Sequence, residues 1–138
     1  MAILASEEQV SYFGYHIPYL EHIGVEPVSC ENDVAITRLP IKPHLVNSRG
    51  HVHGGALMSV LDFTLSAAGR SHDLTGISMA TIDMSTSFMA PGSTDLTVTA
   101  TCTHRGGSIC FCEGEVRDAN QKLVAKASAS FKMIKVNR

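Results

Sequence analysis

The chain has 138 residues, which makes one domain with a single sizeable core. Hydrophobic residues make up 44% and charged ones 17%, which excludes a disordered chain. A net charge of -2 gives no electrostatic grip on nucleic acid or an anionic membrane. Neither is expected as a partner, and any phosphate-bearing ligand must be held by local groups.

From the N-terminus, Ser6-x-x-Gln9 has the spacing of a capping box, so a short helix is expected over residues 6–14. A second helical turn is expected around Ile17 to Ile23, with Pro18 in its first turn and Gly24 past its end. Val25 to Ser29 and Val34 to Leu39 flank Glu31-Asn32-Asp33 and read as a hairpin. Pro40 to Gly50 reads as a loop.

From His53 to Gly69 the chain carries one formal charge, Asp62. Leu57, Val60, Leu61, Leu65 and Ala68 recur at three- and four-residue spacing, which predicts a helix to about Arg70. Met58 and Phe63 lie off that stripe, so the helix is apolar most of the way round and is expected to be buried on several sides. Extended segments follow over Ile77–Met89, Leu96–His104, Ser108–Arg117 and Lys122–Ile134. Leu96, Val98, Ala100 and Cys102 alternate with threonines, the period of a half-buried strand. The last three segments are joined by short turns and form an antiparallel meander. A mostly apolar helix on such a sheet is an α+β layer arrangement, and a sheet curled around the helix would account for its lack of charge.

No targeting segment is expected, since the first residues lack a basic stretch. The longest uncharged run, broken by Asp62, is a poor membrane span. Cys110 and Cys112 lie two apart on one predicted strand, whereas Cys30 and Cys102 stand alone. No zinc or CxxC spacing results, so free thiols in a reducing cytoplasm are expected, with no metal.

An isolated carboxylate on an apolar helix must be paired, neutralised or used. Gly54 and Gly55 begin that helix, where bare backbone N–H groups favour negative charge. Anion-stabilising amides and a lone base on one helix are parts of a hydrolase. There is no Gly-x-Ser-x-Gly elbow for a serine nucleophile.

The run Asn47-x-x-Gly50-x-x-His53-Gly54-Gly55-(x)6-Asp62, set between a hairpin and a meander, resembles the hotdog-fold acyl-CoA thioesterases. It is closest to their phenylacetate-pathway (PaaI-like) branch. Ile82-Asp83-Met84-(x)4-Met89-Ala90-Pro91 resembles the family's strand after the helix. The resemblance implies a single hotdog domain over residues 1–138, with a helical segment over 1–24 and the core over 25–134. It implies hydrolysis of acyl-CoA to a carboxylate and CoA without a cofactor. Asp62 falls on the catalytic carboxylate and Gly54 on the amide that polarises the thioester carbonyl. Asn47 falls near that carbonyl, His53 on the histidine before the glycines, and Thr81 on a residue that helps place water. The turn His104-Arg105-Gly106-Gly107-Ser108 falls on the loop that receives part of CoA. It departs from relatives with a lysine after the first glycine, so Arg105 or His104 would supply the positive charge.

The residues fit that chemistry. Apolar neighbours Met58, Leu61, Phe63 and Leu65 are expected to surround Asp62 and strengthen it as a base. A thiolate needs little acid assistance to leave, since thiols ionise near ~8.5. Each residue also has a plain alternative. Gly54 and Gly55 could serve close packing, Arg105 could be a solvated turn residue, and Thr81 could be a strand former. His51-x-His53 could bind metal but lacks a third ligand. The methionines at 58, 79, 84 and 89 could pack the core or line an acyl groove. Three functions compete: a thioesterase, a hotdog hydratase or dehydratase using His53 with an acid, and a non-catalytic acyl-CoA-binding domain. Low aromatic content weakly favours aliphatic acyl groups.

Gly54 and Asp62 lie eight residues apart, roughly 12 Å along one helix. That is too far for both to act on one carbonyl, so sites shared across a two-fold homodimer are expected, with pairing into a homotetramer.

Overall fold

The computed structural model describes residues 3–136. A hairpin of β1 (Glu26–Glu31) and β2 (Val34–Leu39) precedes the long helix α2 (Gly54–Gly69), and four strands follow: β3 (Ile77–Phe88), β4 (Leu96–Arg105), β5 (Ile109–Arg117) and β6 (Leu123–Lys135). A one-and-a-half-turn helix α1 (Pro18–Ile23) stands before β1. All six strands join one antiparallel sheet in the order β1-β2-β4-β5-β6-β3. The sheet curls around α2, which is the hotdog architecture.

Local sequence accounts for the turns. Asn32 and Asp33 both adopt positive φ, 53° and 67°, the backbone of a two-residue turn whose twist suits a hairpin. Pro18 opens α1 and Gly24, at φ 84°, closes it in the left-handed conformation. The expected helix over residues 6–14 is not present. Ser6 and Gln9 do make the local bonds of a cap, from Ser6 N–H to Gln9 Oε1 at 2.9 Å and from Gln9 N–H to Ser6 O at 3.2 Å. The chain then reverses through Phe13 and Gly14, both at positive φ. The reversal plants Tyr12 edge-on and Phe13 face-on against Phe63 of α2. Burial of two aromatic rings on the helix outweighs a single cap. Among the described residues of the 1–24 segment α1 is therefore the only helix, and the ends of the expected domain, residues 1, 2, 137 and 138, lie outside the described residues.

The core lies between α2 and the inner face of the sheet. Leu96, Val98, Ala100 and Cys102 of β4 are buried in alternation, as are Ala125, Ala127, Ala129 and Phe131 of β6. Ala35, Thr37 and Leu39 of β2 face the same way. The two polar members of this core satisfy each other: Thr64 donates to the Val60 carbonyl at 2.6 Å, so Thr37 donates to Thr64 Oγ1 at 2.7 Å. Around α2, Ala56, Leu57, Val60, Leu61, Phe63, Leu65, Ala67 and Ala68 are all buried. Only a narrow stripe of Gly54, Gly55, Met58, Ser59, Asp62 and Ser66 reaches solvent in whole or part. Among the described residues no helix is long and apolar enough to cross a membrane.

Arg70, just past the end of α2, is buried at 2% exposure. Its guanidinium donates to the carbonyls of Tyr12, Phe13 and Leu74 and stacks 4.7 Å over the Tyr15 ring. It ties the N-terminal reversal to the helix. Replacing it strands three inward-facing carbonyls, so Arg70→Ala should lower stability by on the order of 3 kcal/mol. A denaturant midpoint within error of the parent would show that the reversal is held by its aromatic rings alone.

Candidate active site

The N-terminus of α2 is built so that one backbone donor stays open. Of its first four N–H groups, Gly55 donates to His53 Nδ1 at 2.8 Å, while Ala56 and Leu57 donate to the His53 carbonyl at 2.9 and 3.2 Å. Gly54 N–H has no partner among the described residues, and it lies at the positive end of the helix dipole. The two glycines differ in kind. A Cβ on Gly55 would stand 3.0 Å from the His53 ring, whereas one on Gly54 would make ordinary 3.5 Å contacts with Phe88. The cap explains the glycine at 55; nothing in this chain's packing requires one at 54.

His53 is the N-cap, and its Nδ1 is an acceptor. The neutral ring with its proton on Nε2 is thereby specified. His53 N–H donates to the Leu45 carbonyl at 2.7 Å, and Val52 N–H to Gly92 O at 2.9 Å, which anchors the loop before the helix. Within that loop, Asn47 Oδ1 accepts from the N–H groups of Arg49 and His51 at 2.9 and 3.1 Å. Two backbone donors fix the amide's orientation, so Nδ2 is presented as the donor. Gly50, at φ 78°, makes the tight turn possible.

Asp62 lies two turns further on, in the exposed stripe, and is half-exposed rather than enclosed. Of the four expected apolar neighbours only Met58 shares that stripe, because Leu61, Phe63 and Leu65 turn inward. Its partner is Thr81 of β3, whose hydroxyl donates to Asp62 Oδ1 at 2.6 Å. A bulge falls at this point: Thr81 pairs with Phe131 and Asp83 with Ser130, which leaves Ile82 as the extra residue. The strand reading of residue 81 carried no sign of it. β3 is an edge of the sheet; Ile82 and Phe88 on it and Met89 just past it are exposed, as is Met58 of the helix.

The turn His104–Ser108 lies at the other end of α2. His104 is exposed, its ring 6.1 Å from that of Phe111. Gly106 N–H donates to Ile109 O at 2.8 Å to close the turn, and a Cβ on Gly107 would meet nothing within 4 Å. Met133 N–H donates to the Ser108 carbonyl at 2.7 Å. Arg105 is not a solvated turn residue. Its Nε and Nη2 each reach the Gly69 carbonyl at 3.1 Å, and Nη2 also binds Asp33 Oδ1 at 2.7 Å. A cation thus sits on the negative end of the helix, and the Asp33 hydrogen bond raises its pKa further, against the opposing pull of burial. The chain therefore holds three separate groups: Asn47, His53 and Gly54 at one end of α2, Asp62 with Thr81 at its middle, and residues 104–108 at its far end.

A profile of the thioesterase superfamily matches residues 49–125. The chain belongs to that superfamily. It is 25% identical, over 94% of its length and 97% of the relative's, to a medium/long-chain acyl-CoA thioesterase of Escherichia coli. A conserved protein of Pseudomonas aeruginosa superposes with a TM-score of 0.83 at 32% identity, covering 94% of this chain and all of that one. The PaaI protein from the E. coli phenylacetic acid degradation operon shares the fold, with a TM-score of 0.79 at 23% identity over 86% of this chain and 85% of that one.

Arg105→Ala should lower stability by about 1–2 kcal/mol, a figure reduced for the half-exposed Asp33. It should raise KM equally for an acyl-CoA and for the matching pantetheine thioester. A selective rise with acyl-CoA would return Arg105 to phosphate binding.

Proposed function

We propose that this member of the thioesterase superfamily hydrolyses acyl-CoA thioesters, with Asp62 as the reacting carboxylate. The observation that carries the reading is the pairing of Asp62 with Thr81 on the one stripe of α2 left open by the sheet. Thr81 fixes one carboxylate oxygen and leaves Oδ2 to take a proton from water. Hydroxide then adds to the thioester carbon, and the oxyanion is received by Gly54 N–H and Asn47 Nδ2. Collapse of the adduct expels CoA as a thiolate. Direct attack by Asp62 would instead give an anhydride that water opens. Single turnover in ¹⁸O-water separates the two, because only the anhydride route can place label in Asp62.

His53 supports the helix rather than the chemistry, since its Nδ1 is already an acceptor. That weighs against a hydratase, which would need a free histidine beside the acid. The exposed Met58, Phe88 and Met89 offer a flexible apolar lining for an aliphatic acyl chain. The thioesterase relative with medium and long chains agrees with that assignment.

The spacing of roughly 12 Å between Gly54 and Asp62 calls for a second copy. In our reading two α2 helices run antiparallel across a two-fold axis, and Asn47 and Gly54 of one protomer meet Asp62 and Thr81 of its partner. The exposed edge with Ile82, Phe88 and Met89 is the surface such a partner would cover. His104 and the glycine turn would then meet CoA, and two dimers would pair as a tetramer.

Asp62→Asn should reduce kcat by on the order of 100- to 10,000-fold in a thiol-release assay over short, long and aryl acyl-CoAs, with an unchanged circular dichroism spectrum. Retention of most of the parent kcat would remove Asp62 from the reaction.

Mixing Asn47→Ala with Asp62→Ala after reversible dissociation should restore about a quarter of full activity, one intact site per heterodimer. Exchange of subunits without recovery would place both residues in one protomer's site.

A further inference from the structure

Beneath the C-terminal end of α2, away from Asp62, three buried thiols converge. The sulfurs of Cys102, Cys110 and Cys112 all lie within 4.8 Å of one another, and none of the three residues is more than 8% exposed. Cys102 and Cys112 face each other directly across β4 and β5. Cys102 N–H is spent on the Asp33 carbonyl on the opposite side, at 2.8 Å, so the pair is of the non-hydrogen-bonded type, in which side chains stand closest. Cys110, two residues along β5, points to the same face. The helix comes down onto them: a Cβ on Gly69 would stand 2.7 Å from Cys110 Sγ, 3.3 Å from Cys112 Sγ and 2.8 Å from the Met79 methyl.

We propose that Cys102, Cys110 and Cys112 form a binding site for one soft monovalent cation, Cu(I). Three sulfurs around an ion at a thiolate–metal distance of ~2.3 Å would be roughly 4 Å apart, so the thiols need only a small contraction. The donor set is sulfur throughout, with the Met79 thioether end beside it, and soft thiolate and thioether ligands select Cu(I) over harder ions. Zinc would require a fourth strong ligand, and the nearby carboxylate, Asp33, is already held by Arg105. As Cu(I) binds, two thiol protons leave, so two thiolates, one thiol and the ion carry one net negative charge. The Arg105 guanidinium, shared with Asp33 at 2.7 Å, offsets part of it.

The test uses the full-length protein, reduced and free of oxygen. Cu(I) is supplied as its bicinchoninate complex, whose loss of absorbance reports transfer. The expected result is one copper per chain, a shell of three sulfurs in X-ray absorption and a rise in Tm. Cys110→Ala and Cys112→Ala should each weaken binding at least about tenfold. Cys30→Ala, whose thiol bonds the Ala67 carbonyl outside the cluster, should bind as the parent does. If the cluster variants do not fold, the sulfur count in the parent protein decides alone. No transfer, fewer than three sulfurs, or equal binding by the cluster variants would overturn the site. So would a parent that takes up no copper but forms a Cys102–Cys112 disulfide in air, which would make the cluster a redox pair.

Discussion

Everything in this fold depends on enclosing α2. A sixteen-residue helix with one carboxylate cannot stand in water, and a flat sheet could cover only one of its sides. The sheet therefore curls, and the small inward residues Ala100, Ala125, Ala127 and Ala129 on its central strands let it approach the helix. Gly114 serves the same approach between strands, since a Cβ there would stand 2.7 Å from the Thr99 carbonyl of β4. Curling around a cylinder still leaves a seam. That seam is the stripe through Met58, Asp62 and Ser66, and the single carboxylate of the helix lies in it.

The two ends of the helix are finished in opposite ways. At the C-terminus the orphan carbonyls meet charge: Arg105 binds Gly69 O, and Arg70, itself the C-cap, anchors the adjacent N-terminal segment through Tyr12 O and Phe13 O. Such cations on the negative pole stabilise the helix and immobilise its end. The N-terminus carries no such counter-charge in its first turn. His53 satisfies its neighbours but leaves Gly54 N–H free, so the positive pole remains available to an anion. One end is made for stability and the other retains unspent binding capacity.

Local features were readable from the sequence, and non-local ones were not. β2 was expected over Val34–Leu39 and occupies those residues, because a turn with two residues at positive φ and a proline after Leu39 bound it on both sides. The apolar period of α2 and the alternation of β4 gave their extents to within a residue or so. No helix forms over residues 6–14 because the cap signal there is local, whereas the packing of Tyr12 and Phe13 on Phe63 that outweighs it is not. The site residues could be listed from the motif, but their relations depended on tertiary register. The bulge at Ile82 turns Thr81 onto Asp62, and Arg105 turns inward to a helix 36 residues earlier in the chain. Cys102 stood alone in sequence for the same reason, since its neighbour Cys112 is fixed by the pairing of β4 with β5 and by nothing nearer.

Glycines separate what the fold needs from what a ligand needs. Gly69 has no room for a methyl group, because Cys110 Sγ and the Met79 methyl already occupy its place. Gly55 is crowded by the ring of its own cap. Both are accounted for from within the chain. Gly54 is not, since a Cβ there would touch only the side of Phe88 at a normal distance. Alanine would favour the helix by up to about 1 kcal/mol. Glycine at 54 therefore works against the helix without any internal reason for it, and what it adds is unobstructed access to the one free N–H at the helix's positive pole. In the proposed reaction that amide receives the thioester oxyanion, a reason for glycine that the packing of this chain does not supply.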